Sequence, residues 1–172
     1  MARATSVVAA ADRHERPVID TVILDYAQRS AQKITVTGVN GGAFEIDLHR
    51  PERLRTDDLL LLENGALVEV VAAPEPLVEA RAADLAGLAR LAWHLGDRHI
   101  PVQVLPNRVR ARRDAALEAL LKSLGAKVTL IEAPFEPEGG AYASSHDHGR
   151  DHHDHDHDHE HHGHSNGHHH DH

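Results

Sequence analysis

From His146 to His172 the chain reads HDHGRDHHDHDHDHEHHGHSNGHHHDH, without one apolar residue. Such a stretch has nothing to bury, so nothing offsets the entropy of ordering it. Any hydrophobic core must come from the 145 residues before it, and the stretch itself is expected to be a disordered, solvated tail. It holds 14 of the chain's 18 histidines, so the enrichment is local and not a bias of the whole protein. Interleaved with them are seven carboxylates: Asp147, Asp151, Asp154, Asp156, Asp158, Glu160 and Asp171. Imidazole nitrogen suits Ni²⁺, Zn²⁺, Cu²⁺ and Co²⁺. Neighbouring carboxylates complete a coordination shell or hold the second ring N–H. The tail is therefore read as a tract for metal capture. Its candidate ligands are His146, His148, His152, His153, His155, His157, His159, His161, His162, His164, His168, His169, His170 and His172. A purification tag would be an unbroken run, whereas the longest run here is His168–His170.

There are no cysteines, which removes zinc ribbons, thiolate clusters and disulfide frameworks together. Any metal held here has N and O ligands only, so Cu⁺ is a poor cargo and binding should be exchangeable. The formal net charge of −9 argues against a nucleic-acid partner. The nearest thing to a basic patch is the short stretch Arg108–Arg113. No apolar run approaches the roughly 20 residues that cross a bilayer. The N-terminal apolar stretch, Val7 to Ala11, is too short for a signal-peptide core. A cytoplasmic protein is the expectation.

Along the chain, residues 1–17 read as a flexible leader, Ala-rich and then charged. Residues 18–73 read as a small all-β domain of antiparallel strands at Val18–Tyr26, Lys33–Thr37, Ala43–Leu48, Asp58–Leu62 and Leu67–Ala72. Asn40-Gly41 and Asn64-Gly65 are hairpin signals, and a two-residue turn of that kind needs positive φ at both central positions. Pro74-Glu75-Pro76 reads as a linker, since two prolines stiffen the chain and remove donors. Residues 77–142 then alternate strand and helix. Asp84 is a good N-cap. Leu85, Leu88, Ala89, Ala92 and Leu95 form a helical stripe, with Gly96 as its stop. Leu117, Leu120, Leu121 and Leu124 form a second stripe ended by Gly125. The order βαββαβ is that of a ferredoxin-like domain, with two helices on one face of a four-stranded sheet. The fold class is thus α+β: a β-rich unit, a ferredoxin-like unit, and a His-rich tail over 143–172.

Outside the tail, His14 and His49 read as solvated singletons. His94 and His99 are five residues apart, so on an ideal helix they diverge by about 140° and should not chelate one ion together. His99 falls at or past the helix end, where its side chain can project freely. A single exposed histidine is a poor metal site. It becomes a good one in a symmetric dimer, where a two-fold axis brings a second copy to the same ion. Alternatively, His99 is only a helix-end residue favoured by the macrodipole. Enzyme templates fail: there is no P-loop, no H-E-x-x-H and no G-x-S-x-G.

HLGDRHIPVQVLP (His94–Pro106), PFEPEGGAY (Pro134–Tyr142) and the His-rich end together resemble the urease accessory protein UreE family of nickel metallochaperones. The resemblance covers nearly the whole chain. It implies that the N-terminal domain is similar to the peptide-binding module of Hsp40 chaperones. It further implies a homodimer built through the ferredoxin-like domains, and Ni²⁺ delivery to apo-urease together with other accessory proteins, including the accessory GTPase. In the family the second His of HLG-x-RH binds metal at the dimer interface, a role that carries to His99 and not to His94. Zn²⁺ and Cu²⁺ would compete for the same ligands. The chain departs from the family pattern in two places. Arg110-Ala111-Arg112-Arg113-Asp114-Ala115 has no histidine where some members have them, and Asp97 stands where Asn is common. Two other readings remain: a Ni/Zn buffer or store acting through the tail, and a peptide-binding module with the tail incidental.

Overall fold

The computed structural model describes residues 2–9, 12, 13 and 16–139. The tail ligands from His146 onward and His14 lie outside the described residues. The N-terminal unit is a six-stranded sheet of order β2-β6-β5-β1-β4-β3. Its strands are β1 (Ala2–Val8), β2 (Val18–Leu24), β3 (Lys33–Thr37), β4 (Ala43–Asp47), β5 (Leu59–Leu62) and β6 (Leu67–Ala72), with the short helix α1 (Tyr26–Arg29) after β2. Alternating residues close a core of Val22, Leu24, Val36, Phe44, Ile46, Leu54, Leu60, Val68 and Val70, with Ala4 from β1.

The flexible leader expected over 1–17 is corrected by β1. This strand pairs with β4 on one side and β5 on the other, so it lies inside the sheet. Its Ala-Arg-Ala-Thr-Ser sequence has weak strand preference of its own. Hydrogen bonding along both of its edges makes it a strand. Across the sheet Arg3 pairs with Glu45 and Asp47, and Lys33 reaches the same two carboxylates. Hydrogen bonds from Arg3 and then Lys33 hold the Asp47 carboxyl below its ordinary range.

The expectation that this unit is antiparallel throughout is also corrected, because β1–β4 and β2–β6 run parallel. Both Asn-Gly hairpins are present, but each with one positive φ and not two: Gly41 at 85° and Gly65 at 84°. The Gly65 amide bonds the Leu62 carbonyl at 2.9 Å and the Gly41 amide bonds the Gly38 carbonyl at 2.9 Å. At Gly38 a Cβ would stand 2.1 Å from the Asp20 carboxylate, which accepts from the Asn40 amide. Only glycine lets that carboxylate sit under the turn.

The C-terminal unit is a four-stranded sheet of order β10-β7-β9-β8, made from β7 (Pro74–Arg81), β8 (Gln103–Leu105), β9 (Arg108–Arg112) and β10 (Lys127–Pro134). Helices α2 (Leu85–Asp97) and α3 (Ala115–Ser123) complete the βαββαβ order. All neighbouring pairs are antiparallel, as a ferredoxin-like sheet requires. The linker expected at 74–76 is strand instead: Pro74, Glu75 and Pro76 pair with Pro134, Ala133 and Glu132. The prolines are tolerated because β9 reaches only Leu77 on their other side, so their missing N–H groups interrupt no ladder.

The two units meet at Arg29, which is fully buried. Its guanidinium donates to the carbonyls of Leu24, Leu54 and Phe135 and to Glu136 Oε1 at 3.1 Å. Glu136 Oε1 also accepts from the Thr56 amide. Phe135 is buried with its ring edge-on to Tyr26, 5.4 Å between centroids. The segment after β10 thus straps both units together, and the Glu138 amide fastens it to the Val102 carbonyl at 2.8 Å.

Candidate metal site

Helix α2 sets the position of His99. Its N-cap is Asp84, whose carboxylate accepts from the Gly87 amide at 2.7 Å. The stripe that packs on the sheet is Leu88, Leu91 and Leu95, joined by Ile100. Of the five residues expected there, Leu85 and Ala89 instead face solvent, and Leu85 is 73% exposed. Together with Trp93, 64% exposed, they form a second apolar stripe at i, i+4, i+8 on the outer side. One helix therefore carries two apolar faces, of which its own chain covers one.

The helix does not stop at Gly96 but runs to Asp97, with Arg98 as C-cap. It is closed by His99 itself, whose φ is +54°. The His99 amide bonds the Gly96 carbonyl at 2.9 Å, and the Ile100 amide bonds the Leu95 carbonyl at 3.1 Å. These are the two hydrogen bonds of a Schellman motif, with the half-buried Ile100 supplying its apolar contact. The left-handed position is usually glycine, because a Cβ there crowds the backbone. Histidine occupies it here, and its side chain is exposed beyond the helix end.

His94 is placed differently. Its ring stands edge-on to Trp93, 5.0 Å between centroids, and Arg98 Nη1 lies 3.4 Å from its Nδ1 while donating to its carbonyl at 2.9 Å. His49 is exposed. Among the described residues no group of three or more His, Cys, Asp or Glu side chains converges to hold an ion. His49 and His99 are both exposed, and neither belongs to such a group.

Sequence reasoning passed over a second cluster. Strict alternation in Arg108-Val109-Arg110-Ala111-Arg112 sends Val109 and Ala111 into the helix-side core and the three arginines to the opposite face. There Glu79, 6% exposed, accepts from Arg81, Arg108 and Arg110 at 2.9–3.2 Å. Burial alone would raise the Glu79 carboxyl. Hydrogen bonds from Arg110, Arg81 and Arg108 outweigh it and hold the group below the ordinary carboxylate range. The period-two arginine pattern was the signal available in the sequence.

Comparison with known proteins falls in line with this architecture. Residues 4–73 match the family "UreE urease accessory protein, N-terminal domain", and residues 75–162 match "UreE urease accessory protein, C-terminal domain". The chain is 52% identical over 152 residues to a urease accessory protein UreE of Bradyrhizobium sp. strain BTAi1, covering 88% of this chain and 73% of that relative. It is 51% identical over 150 residues to the UreE of Bradyrhizobium sp. strain ORS 278, covering 87% and 71%. Against the UreE of Beijerinckia indica the identity is 47% over 152 residues, covering 86% and 87%. The class of protein so defined is that of the urease accessory proteins. The chain belongs to the UreE urease accessory protein family.

Proposed function

We infer that this protein is a nickel carrier for urease maturation. The family supports a role in that process, and the observation that carries the nickel reading is His99. A histidine sits in a left-handed helix cap where glycine would close the same motif more cheaply, with its imidazole exposed. In this reading, tail imidazoles between His146 and His172 capture Ni²⁺ and raise its local concentration. The ion then passes to a site made by His99 and its copy across a two-fold axis. The uncovered apolar stripe Leu85–Ala89–Trp93 on α2 supports a homodimer formed through the C-terminal unit. All ligands are N or O donors, so they exchange one at a time, and a partner withdraws the ion. The partners are apo-urease and the other accessory proteins, including the accessory GTPase, in the cytoplasm. The unit built from 2–73 serves as the partner-facing module. Zn²⁺ and Cu²⁺ compete for the same donors. Imidazole titrates near pH 6.5, so the tail should release metal as pH falls through about 6.

Calorimetric titration with Ni²⁺ tests this on the chain ended after Ser145 and on its His99→Ala variant. The expected result is about one ion per dimer, lost with His99→Ala. If the truncated chain binds no ion, all metal chemistry lies in the tail. The protein is then a Ni/Zn buffer, and the carrier reading fails.

A further inference from the structure

The face of the C-terminal sheet opposite α2 and α3 is basic and only partly covered: Leu77 on it is buried, whereas Arg81, Arg112 and Lys127 are exposed. Register places Arg81, Lys127, Arg108, Arg110 and Arg112 on it, around the buried Glu79. The other carboxylate of this face, Glu75, is tied to the Tyr26 amide. Glu79 cannot satisfy what surrounds it. Arg110 reaches it through Nε and Arg108 through Nη1, while each guanidinium carries five donors. Arg112 lies over the Tyr26 ring, 5.1 Å from its centroid, and is exposed, as is Lys127. A concentrated cationic face on a chain of net charge −9 calls for an anionic occupant.

The chain supplies one at the right place. The strap after β10 is fastened by Glu138 to Val102, the residue before Gln103 of β8, and Gln103 pairs with Arg110. The described chain therefore ends at the β8 edge of this sheet, and the sequence that follows it is the His-rich stretch. It carries seven carboxylates against one cation, Arg150. Asp147 lies nine positions after Glu138, a stretch that spans up to about 30 Å when extended. Four strands at about 4.8 Å spacing cross only about 15 Å. The tail's acidic residues can thus reach every arginine of the face, at an effective concentration on the order of millimolar.

We propose that the metal-free tail docks through its carboxylates onto the arginine face formed by Arg81, Arg108, Arg110 and Arg112, and that metal loading releases it. Each divalent ion adds two positive charges to the tail and draws carboxylates toward the metal, so loading removes the attraction. The docked tail is held beside the fold while it is empty and is freed once it carries cargo. The release step rests on the tail binding metal, as in the nickel reading above. The docking step does not.

The test uses the full chain, free of metal, at about pH 7.5 where tail imidazoles are mainly neutral. The readout is the side-chain Nε–Hε NMR signals of Arg81, Arg108 and Arg110. The comparison chain keeps every histidine and carries Asp147→Asn, Asp151→Asn, Asp154→Asn, Asp156→Asn, Asp158→Asn and Glu160→Gln. The arginine signals of the two chains should differ, and more than half of that difference should vanish at about 0.5 M NaCl, where screening is strong. Identical spectra overturn the docking. So does a shift that persists in the neutralised chain and grows with protein concentration, which would put a second copy on the face. Diamagnetic Zn²⁺, bound by the tail as followed by calorimetry, should move the native signals onto those of the neutralised chain. If Zn²⁺ binds the tail and the signals stay, release is overturned. If calorimetry finds no tail binding, the metal-capture reading fails instead, and the metal-free spectra still decide the docking.

Discussion

Helices α2 and α3 begin alike and end differently. Each opens on an aspartate: Asp84 accepts from the Gly87 amide at 2.7 Å and Asp114 from the Leu117 amide at 2.9 Å. Each closes with the same two bonds. In α3 the Gly125 amide reaches Lys122 and the Ala126 amide reaches Leu121; in α2 the His99 and Ile100 amides reach Gly96 and Leu95. The left-handed residue is Gly125 at +81° in one and His99 at +54° in the other. For a residue with a Cβ that backbone costs roughly 1–2 kcal/mol. The two ends do the same structural work on the same sheet, so α3 is an internal reference for α2. What remains at α2 is a conformational cost kept together with an exposed imidazole. Strain of this kind persists where surrounding structure enforces it and collects at functional positions.

The largest effect should come from outside both helices and shows whether their ends respond independently of the junction between units. Arg29→Ala leaves Glu136 and three carbonyls without their buried partner, and should cost about 3–5 kcal/mol in urea unfolding. Amide exchange at His99 and Gly125 should change together; a change at one alone would break the equivalence. Next, Glu79→Gln removes the carboxylate shared by three arginines, on the face away from both helices. It should cost roughly 1.5–3 kcal/mol at neutral pH. Because the folded carboxyl lies below its unfolded value, the unfolded state takes up the proton first on acidification. The stabilisation from Glu79 is therefore complete above about pH 5 and is lost as pH falls through the carboxylate range. Unfolding curves of Glu79→Gln should show a flatter pH slope there.

The exchange of the two caps tests the comparison directly. Gly125→His has open space for its Cβ, so only the backbone resists it. His99→Gly relieves the same strain, less the extra chain entropy of glycine, about 0.5–1 kcal/mol. The two variants should shift stability by roughly 0.5–1 kcal/mol with opposite signs. Gly125→His should gain no Ni²⁺ site, whereas His99→Gly should lose the site of the folded part while raising Tm. A His99→Gly chain that is less stable would remove the argument from strain. The smallest expected quantity is a difference near zero. Asp84→Ala and Asp114→Ala should each cost about 1 kcal/mol, since both caps hold one amide in the same way. A clear inequality would mean that the two helices are not equivalent at their starts either.

The strands β3, β4 and β6, the Asp84 cap and the ferredoxin-like order were legible because each rests on a local pattern. Alternation, a carboxylate before an apolar stripe and a turn glycine declare themselves within a few residues. The departures have one cause in common. β1 is a strand because β4 and β5 flank it. Pro74–Pro76 is strand because β10 extends past the end of β9. Arg29 is buried because Phe135 and Glu136, more than a hundred residues later, come back to it. The stripe of α2 showed the limit most clearly, since two apolar faces at helical spacing look like one broad face until the sheet selects Leu88, Leu91 and Leu95.

By itself the sequence determined where a core could form, that any metal ligands must be N or O donors, and that histidine falls at the end of α2. Tertiary structure decided which side of α2 is covered, that His99 closes the helix in a left-handed cap, and that the arginines of β9 gather on one face around Glu79. The division follows from range. Propensity, capping and charge act between near neighbours in the chain, whereas burial and cap geometry depend on what packs from far along it.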